Sequence, residues 1–260
     1  MNRLYWDNIA PVFEREIFNV CEHDLKRVVY GAIEKYGSKR GVVSDIGCGI
    51  GNFLPQLSAH FNFVLGVDFS PRCIARAKER FPELKNVSYI LRNLGRSDVS
   101  LPAVDVAFSV NSIISPSLTQ RLRIFDVVCE HIKVNGHIIL VVPSIESKLL
   151  TDARLIEWNL RNGVSPRYAT RKGFRLDKCE EYGRINEGII RIRDVDIKHF
   201  IREEVGLLLN SRGFEIVENV KIEYSWETEF ESPPEWMKDP CPWDWLFVGK
   251  KTGRRAPQVL

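Results

Sequence analysis

Short apolar runs alternate with amphipathic stretches through the first half of the chain. The runs predict five strands, at about residues 41–46, 64–68, 87–91, 104–110 and 137–142. Apolar residues recur at helical spacing over 22–36, 71–80 and 118–132, and a further helix is expected after Gly51. Strands that alternate with helices in this way predict a doubly wound, mostly parallel α/β sheet.

The pattern changes after Pro143. We expect a helix over 145–162, an irregular and basic stretch over 163–184, a strand over 188–195 and a helix over 199–211. Two more strands are predicted at 214–224 and 243–250. Residues 145–195 exceed what a direct crossover between strands needs, so they are predicted to form a cap inserted after strand five.

A glycine-rich turn follows the first predicted strand. It reads Asp45-Ile46-Gly47-Cys48-Gly49-Ile50-Gly51, and the second strand ends at Asp68. Glycine lets the backbone approach a ligand closely, because a side chain there would collide with it. A carboxylate at the end of the second strand can accept hydrogen bonds from both hydroxyls of a ribose. The arrangement is typical of a site for an adenosine-bearing cofactor.

The spacing of the glycines indicates which cofactor is bound. A dinucleotide site has the pattern Gly-x-Gly-x-x-Gly, whereas this turn is one residue tighter and lies beside Asp45. A carboxylate at that position would repel a pyrophosphate and attract an ammonium group. S-adenosylmethionine carries a sulfonium and an α-ammonium group on an adenosine. It is therefore the predicted cofactor, and a nicotinamide-dependent oxidoreductase is disfavoured.

Three segments carry a resemblance to a known family. Residues 45–51 resemble the first motif of class I S-adenosylmethionine-dependent methyltransferases, Asp68-Phe69-Ser70-Pro71 resembles the second, and residues 105–111 are similar to the fourth-strand segment. The resemblance implies one Rossmann-like methyltransferase domain over 1–260, with a seven-stranded sheet whose last two strands form an antiparallel edge pair. The cofactor-binding residues that it implies are Asp45, Gly47, Cys48, Gly49, Gly51, Asp68, Phe69, Asn93, Leu94, Val110 and Asn111.

Some of these positions depart from the family pattern. Many relatives carry an acid at the place of Asn93, where it accepts a hydrogen bond from the adenine amino group. The amide oxygen of Asn93 can accept the same bond, although asparagine is also a common turn residue. Cys48 stands where the family admits small residues. Ser109-Val110-Asn111 lacks the Asn-Pro-Pro-Tyr, Asp-Pro-Pro-Tyr and Pro-Cys signatures of the best-marked nucleobase methyltransferases.

Three segments are candidates for the acceptor side of the site. Residues 1–20, with Tyr5, Trp6 and Phe13, resemble the family's N-terminal lid, or they pack on the sheet. The cap at 145–195 and the loop at 225–242 are expected at the carboxyl face of the sheet, where ligands of such sheets bind. The loop would wall a pocket for a planar or apolar substrate or cover the sheet edge, because it contains Trp226, Pro233, Pro234 and Trp236.

Charged side chains add two candidates. The cap holds a basic cluster that would hold an anionic substrate, touch RNA or form solvated surface, namely Arg161, Arg167, Arg171, Lys172, Arg175 and Lys178. His199, at the predicted start of a helix near the same face, is the one catalytic candidate; it could take a proton from a hydroxyl or amine, or dock the helix. Methyl transfer requires a base only when the nucleophile arrives protonated.

Composition sets the remaining limits. A chain of 260 residues suits one domain, and a net charge of +3 requires neither nucleic acid nor a membrane as partner. The six cysteines lack metal-ligand spacing, so no metal is expected. Residues 1–8 lack a signal-peptide core, which favours a cytoplasmic protein.

We expect a methyltransferase of a small, anionic or planar acceptor. The alternatives are an RNA methyltransferase that uses the basic cap and a non-catalytic cofactor-binding regulator. The sequence is silent on oligomeric state.

Overall fold

The computed structural model describes residues 3–170, 181–192 and 195–253. Its helices are α1 Arg3–Ile9, α2 Phe13–Glu16, α3 Val20–His23, α4 Val28–Tyr36, α5 Leu54–His60, α6 Pro71–Arg80, α7 Leu118–Glu130, α8 Ile145–Arg161 and α9 Arg202–Asn210. Its strands are β1 Val42–Ile46, β2 Phe63–Asp68, β3 Val87–Leu91, β4 Val104–Val110, β5 Ile132–Pro143, β6 Glu181–Arg184, β7 Ile189–Ile192, β8 Val195–Lys198, β9 Phe214–Glu223 and β10 Trp243–Lys251. Within these ranges no helix is both long and apolar enough to cross a membrane.

Seven of the strands form one sheet, in the order β3-β2-β1-β4-β5-β10-β9. Strands β1 to β5 are parallel, and β10 runs antiparallel to both β5 and β9. The strand order reverses direction between β1 and β4, so the carboxyl ends of these two strands form a crevice at that point. The predicted doubly wound sheet with an antiparallel edge is confirmed.

Helices cover both faces of the sheet. Helices α4, α5 and α6 contribute to one buried cluster, and α7 and α9 contribute to the other. In β5, Ile139 and Val141 belong to the first cluster, whereas Ile138 and Leu140 belong to the second. A strand that is buried on both faces has a continuous apolar sequence, which is why this run was recognisable.

Serine side chains cap several of the helices that lead away from the strand ends. Ser70, Ser117 and Ser144 accept hydrogen bonds from backbone N–H groups in the first turns of α6, α7 and α8. Such a side chain satisfies an N–H group that has no partner within the helix. The helix predicted over 71–80, behind Ser70 and Pro71, is confirmed.

The helix predicted over 22–36 is wrong in one respect, because it is interrupted. Helix α3 ends at His23, and α4 begins at Val28. The carboxylate of Asp24, in the gap, accepts hydrogen bonds from the backbone N–H groups of Val28 at 2.8 Å and Val29 at 2.7 Å. Arg27 has a left-handed backbone with φ of 54°. A carboxylate that binds two N–H groups starts a new helix, and apolar spacing does not reveal this.

The cap also differs from its prediction. The single strand expected over 188–195 is a pair of antiparallel strands, β7 and β8, and β6 lies in the stretch expected to be irregular. Together they form a separate sheet in the order β6-β7-β8. His199 lies between β8 and α9 instead of starting a helix. The backbone N–H of His199 donates to the carbonyl oxygen of Gly188 at 2.7 Å, and the N–H of Phe200 donates to the carbonyl oxygen of Pro143 at 2.8 Å. These two hydrogen bonds keep the segment extended.

Candidate functional site

The glycine turn after β1 is tied to the end of β2. The backbone N–H groups of Gly47 and Cys48 donate to the carbonyl oxygen of Val67, at 2.7 and 3.1 Å. The N–H of Gly49 donates to Oδ2 of Asp68 at 2.9 Å, and the N–H of Ser70 donates to Oδ1 at 2.8 Å. Burial raises the pKa of Asp68, and these two N–H donors oppose the rise. The turn and the acid therefore meet at adjacent strand ends.

Close packing explains the glycines at 47 and 49. Both have left-handed backbones, with φ of 70° and 52°. A Cβ on Gly47 would lie 2.3 Å from the Cβ of Ser112, and a Cβ on Gly49 would lie 3.2 Å from the ring of Phe13. Neither position can hold a side chain without displacement of a neighbour.

The carboxylate of Asp45 is buried beside this turn. The residue is 5% exposed, and no described residue forms a hydrogen bond or ion pair with its carboxylate. Burial raises the pKa of Asp45 to about 8, and the carboxylate of Asp68 adds to the rise. A buried charge without a counter-charge is costly. An ammonium group in the adjacent cavity would supply that charge, so this position suits the amino-acid end of S-adenosylmethionine.

These groups line a cavity of about 350 Å³ at the carboxyl ends of the strands. The residues of the sequence prediction that line it are Asp45, Gly47, Cys48, Gly49, Asp68, Phe69, Asn93, Leu94, Val110 and Asn111. Gly51 is not among the lining residues. A Cβ there would lie 2.8 Å from Cδ1 of Leu54 and 3.2 Å from Cβ of Ala77, so this glycine permits the close packing of α5 and α6. The volume is in the range of pockets that hold cofactors.

The N-terminal segment lines one side of this cavity. The segment's lining residues are Arg3, Trp6, Phe13, Ile17, Phe18, Asn19 and Val20. The buried carboxylate of Asp7 anchors the segment, because its Oδ1 accepts a hydrogen bond from Oγ of Ser70 at 2.6 Å. The sequence had indicated Trp6 and Phe13 but not Ile17 or Phe18, which belong to no motif. A lid requires residues of this segment to lie against the cavity, as they do here. The role of the segment as a lid stays a prediction.

Two asparagines in the cavity are engaged by the protein. Oδ1 of Asn93 accepts a hydrogen bond from the N–H of Gly95 at 3.0 Å, as a turn asparagine does, and its second lone pair is left for a ligand. Nδ2 of Asn111 donates to Oδ2 of Asp244 at 2.8 Å. A carboxylate can only accept, so this bond fixes the orientation of the amide. Oδ1 of Asn111 is buried and has no hydrogen-bond partner among the described residues.

A second cavity, of about 90 Å³, lies next to the first. Phe18 lines both. Asp244 lines the second and joins it to the first through the bond to Asn111. Oδ2 of Asp244 also accepts a hydrogen bond from the hydroxyl of Tyr224 at 3.0 Å, and burial raises the pKa of Asp244 to about 6. The sequence pattern gave no sign of Tyr224 or Asp244, because no motif marks the end of β9 or the start of β10.

His199 lies in this second cavity. Its Nδ1 is 3.3 Å from the carbonyl oxygen of Ile197, so Nδ1–H donates and Nε2 is left as an acceptor. Burial lowers the pKa of His199 to about 4, which makes the imidazole neutral and weakly basic. The catalytic role considered for it stays a prediction. In the part of the chain that the structure describes, no group of His, Cys, Asp and Glu side chains is arranged to hold a metal ion.

The loop 225–242 packs mainly on α8. Trp226, Phe230 and Met237 form a small buried cluster with Leu155. Glu229 is the residue of this loop that lines one of the two cavities. The aromatic side chains therefore cover α8 instead of walling either cavity.

The basic cluster of the cap is described only in part. Arg171, Lys172, Arg175 and Lys178 lie outside the described residues. Arg161 forms an ion pair with Glu157 at 2.7 Å and lies over the ring of Trp236, and Arg167 is exposed. Neither Arg161 nor Arg167 lines one of the two cavities.

Part of the chain is similar in sequence to known methyltransferases. Residues 43–136 match a family model described as a methyltransferase domain. The 23S rRNA (uracil(1939)-C(5))-methyltransferase RlmD of Francisella tularensis is 34% identical over 89 residues, which is 33% of this chain and 20% of that protein. The match thus spans about one fifth of the length of these curated relatives.

Solved structures extend the likeness over most of the chain. An S-adenosylmethionine-dependent methyltransferase from Mesorhizobium loti has a TM-score of 0.61 and 18% identity, and the match covers 89% of this chain and all of that one. The N-methyltransferase NodS of Bradyrhizobium japonicum, in complex with S-adenosyl-L-homocysteine, has a TM-score of 0.57 and 14% identity, with 94% and 98% coverage. At these identities the likeness establishes the fold.

The fold and the domain match together define the class of this protein. Residues 43–136 match a methyltransferase domain, and the chain has the fold of S-adenosylmethionine-dependent methyltransferases. S-adenosylmethionine is the cofactor of this class, as the motifs of the sequence had indicated.

Proposed function

We propose that the protein transfers the methyl group of S-adenosylmethionine to a small-molecule acceptor. Bound S-adenosylmethionine supplies a methyl group that its sulfonium already activates. The order of the strand ends supports one direction of binding, because Asn93 follows β3, Asp68 ends β2, the glycine turn follows β1 and Asn111 follows β4. The adenine would lie near Asn93 and Leu94, the ribose at Asp68 and the α-ammonium group at Asp45.

The next strands in this series supply the acceptor side. Beyond β4 lie β5, which is followed by Ser144, and β10, which contains Asp244. Ser144 and Asp244 both line the second cavity. An acceptor in that cavity would approach the cofactor from the side opposite its adenine. The residues there would align the nucleophile and exclude water.

The small volume and aromatic lining of the second cavity carry the small-molecule assignment. Phe18, Tyr224 and Trp243 line the second cavity, and the N-terminal segment held by Asp7 lines the first. A cavity of about 90 Å³ with such a lining suits a small group better than a nucleic-acid strand.

Calorimetry with S-adenosylmethionine, S-adenosylhomocysteine and NAD tests the cofactor. We expect the first two to bind and NAD not to bind, and the reverse result would overturn the proposal. Transfer of a labelled methyl group is then followed in a cell extract separated into small molecules and RNA. Label in the small-molecule fraction is expected, and label in RNA would overturn the small-molecule acceptor. Binding without any transfer would favour a cofactor-binding regulator.

The curated relatives favour an RNA methyltransferase as a second candidate, because the matched enzymes are named for 23S rRNA. The exposed Arg167 of the cap is a described residue that RNA could contact. Affinity for RNA would then fall steeply as salt rises, through the release of counterions. A filter-binding series over salt concentration distinguishes this candidate, because a small-molecule enzyme needs no such affinity.

A further inference from the structure

The carboxylate of Asp244 is buried, and it has no positively charged partner among the residues that the structure describes. The residue is 8% exposed, and the groups that donate to its carboxylate are all neutral: the amide of Asn111, the hydroxyl of Tyr224 and the backbone N–H of Ser144. No lysine or arginine of the described residues forms an ion pair with it. Buried carboxylates are normally paired with a cation, because an unpaired charge is expensive in the interior. A missing counter-charge points to a cationic ligand.

The position of Asp244 indicates which ligand this is. Asp244 lines the second cavity, and its bond to Asn111 connects it to the first. Oδ1 of Asn111 is buried and has no hydrogen-bond partner among the described residues. A hydrogen-bond donor at the boundary between the two cavities would therefore find a carboxylate and an unpaired carbonyl oxygen. That boundary is where the nucleophile must meet the methyl group.

We propose that Asp244 binds the methyl acceptor and that the acceptor is an amine that enters as an ammonium ion. This inference rests on the proposed function. An ammonium group supplies both the missing charge and several N–H donors, so it satisfies Asp244 and Asn111 together. An alcohol supplies no charge, and a carboxylate would be repelled. The inference replaces the anionic acceptor that the basic cap suggested.

The proposed reaction transfers one proton and one methyl group. The ammonium group gives one proton to the carboxylate of Asp244 and becomes an amine. The nitrogen lone pair forms a bond to the methyl carbon, and the bond between sulfur and that carbon breaks with its electron pair on sulfur. The products are the methylated ammonium ion and S-adenosylhomocysteine. The proton on Asp244 then passes to solvent.

Other ionisable groups face the same cavity. Lys148 from α8, Glu229 from the loop, His199 from the segment after β8 and Tyr224 at the end of β9 all line it. Burial lowers the pKa of His199 to about 4 and raises the pKa of Tyr224 well above its usual value. Neither group titrates near pH 6, where Asp244 changes charge.

Sinefungin is a suitable probe, because it carries an amine on carbon where S-adenosylmethionine carries its sulfonium methyl group. Its dissociation constant is compared with that of S-adenosylhomocysteine, which lacks the extra group. At about pH 8 the wild-type protein should bind sinefungin at least about tenfold more tightly than S-adenosylhomocysteine, because a hydrogen bond to a charged group contributes about 1.5–3 kcal/mol. The preference should disappear as the pH falls to about 5, because Asp244 becomes protonated. Titration of Asp45 affects both ligands equally and cancels in the ratio.

Variants assign the preference to one carboxylate. Asp244→Asn should abolish the preference and its pH dependence, whereas Asp126→Asn, an exposed residue of α7, should leave both unchanged. Equal affinities in the wild-type protein, or a preference that persists in folded Asp244→Asn, would overturn the inference. If Asp244→Asn does not fold, the wild-type pH series decides alone. If neither ligand binds, the proposed function itself fails, and the inference fails with it.

Discussion

Oδ2 of Asp68 accepts a hydrogen bond from the backbone N–H of Gly49 at 2.9 Å. The other oxygen of the carboxylate accepts from the N–H of Ser70. One side chain therefore closes the glycine turn, holds the start of α6 and presents a carboxylate to the cavity. Simple truncation cannot separate this structural role from the predicted binding of the ribose.

Asp68→Ala should weaken cofactor binding at least about tenfold, because charge-assisted hydrogen bonds to a ribose contribute about 1.5–3 kcal/mol. It should also lower the free energy of unfolding by about 1–3 kcal/mol, since the buried N–H groups of Gly49 and Ser70 lose their acceptor. Calorimetry and urea unfolding measure the two effects. An unchanged dissociation constant in a folded variant would show that the ribose binds elsewhere.

Cofactor binding should release a proton from Asp45. With a pKa of about 8, this carboxyl group is mostly protonated in the ligand-free protein at neutral pH, and the α-ammonium group of the cofactor favours its ionised form. Affinity should therefore rise with pH by up to about tenfold per unit below about pH 8. Calorimetry in buffers with different ionisation enthalpies measures the release. A binding enthalpy that is independent of the buffer would contradict this prediction.

Asp45→Asn should stabilise the ligand-free protein, and more so at higher pH. The folded pKa of Asp45 is raised from 3.8 to about 8, so its contribution to stability is lost as the pH rises through that window. Asparagine does not titrate. The difference in free energy of unfolding between variant and wild type should grow from about pH 5 to about pH 8 in urea titrations. An equal difference at both pH values would mean that Asp45 titrates normally.

Gly47→Ala and Gly206→Ala should have opposite effects on stability. At Gly47 the backbone is left-handed and a Cβ would lie 2.3 Å from that of Ser112, so the free energy of unfolding should fall by about 2 kcal/mol or more. Gly206 lies within α9 with no atom within 4 Å of an added Cβ, so alanine should add about 0.5–1 kcal/mol. Urea unfolding measures both. A Gly47→Ala protein as stable as wild type would refute the close approach.

Asp7→Ala should loosen the N-terminal segment where it lines the cavity. The bond from Ser70 that it removes is worth about 1 kcal/mol, so S-adenosylhomocysteine should dissociate about fivefold faster in stopped-flow measurements. Ser70 keeps its capping bond to the N–H of Cys73, so the fold should be retained. Glu22→Ala, an exposed change just after this segment, serves as the control. Equal dissociation rates in all three proteins would mean that the N-terminal segment does not retain the cofactor.

The local signals of the sequence were sufficient for the sheet and for most of the predicted residues that line the first cavity. The run Ile138–Val142 is apolar at every position because β5 is buried on both faces. Gly47 and Gly49 are glycines because the left-handed turn leaves no room for a side chain. Such constraints act on the residue itself, so they determine the type of that residue and the types of its neighbours in the sequence.

Other features follow only from contacts between distant parts of the chain. The bond from Asn111 to Asp244 joins residues 133 positions apart, and it exists because β10 runs antiparallel and starts at the edge where β4 ends. The sequence could not indicate that Gly51 packs two helices, that Asp24 starts α4, or that Phe18 reaches both cavities. The sequence thus determined the class of sheet and the cofactor, because strand burial and tight turns are local properties. Tertiary structure decided the position of the N-terminal segment and the partners of Asp244, because these contacts join residues that only the fold brings together.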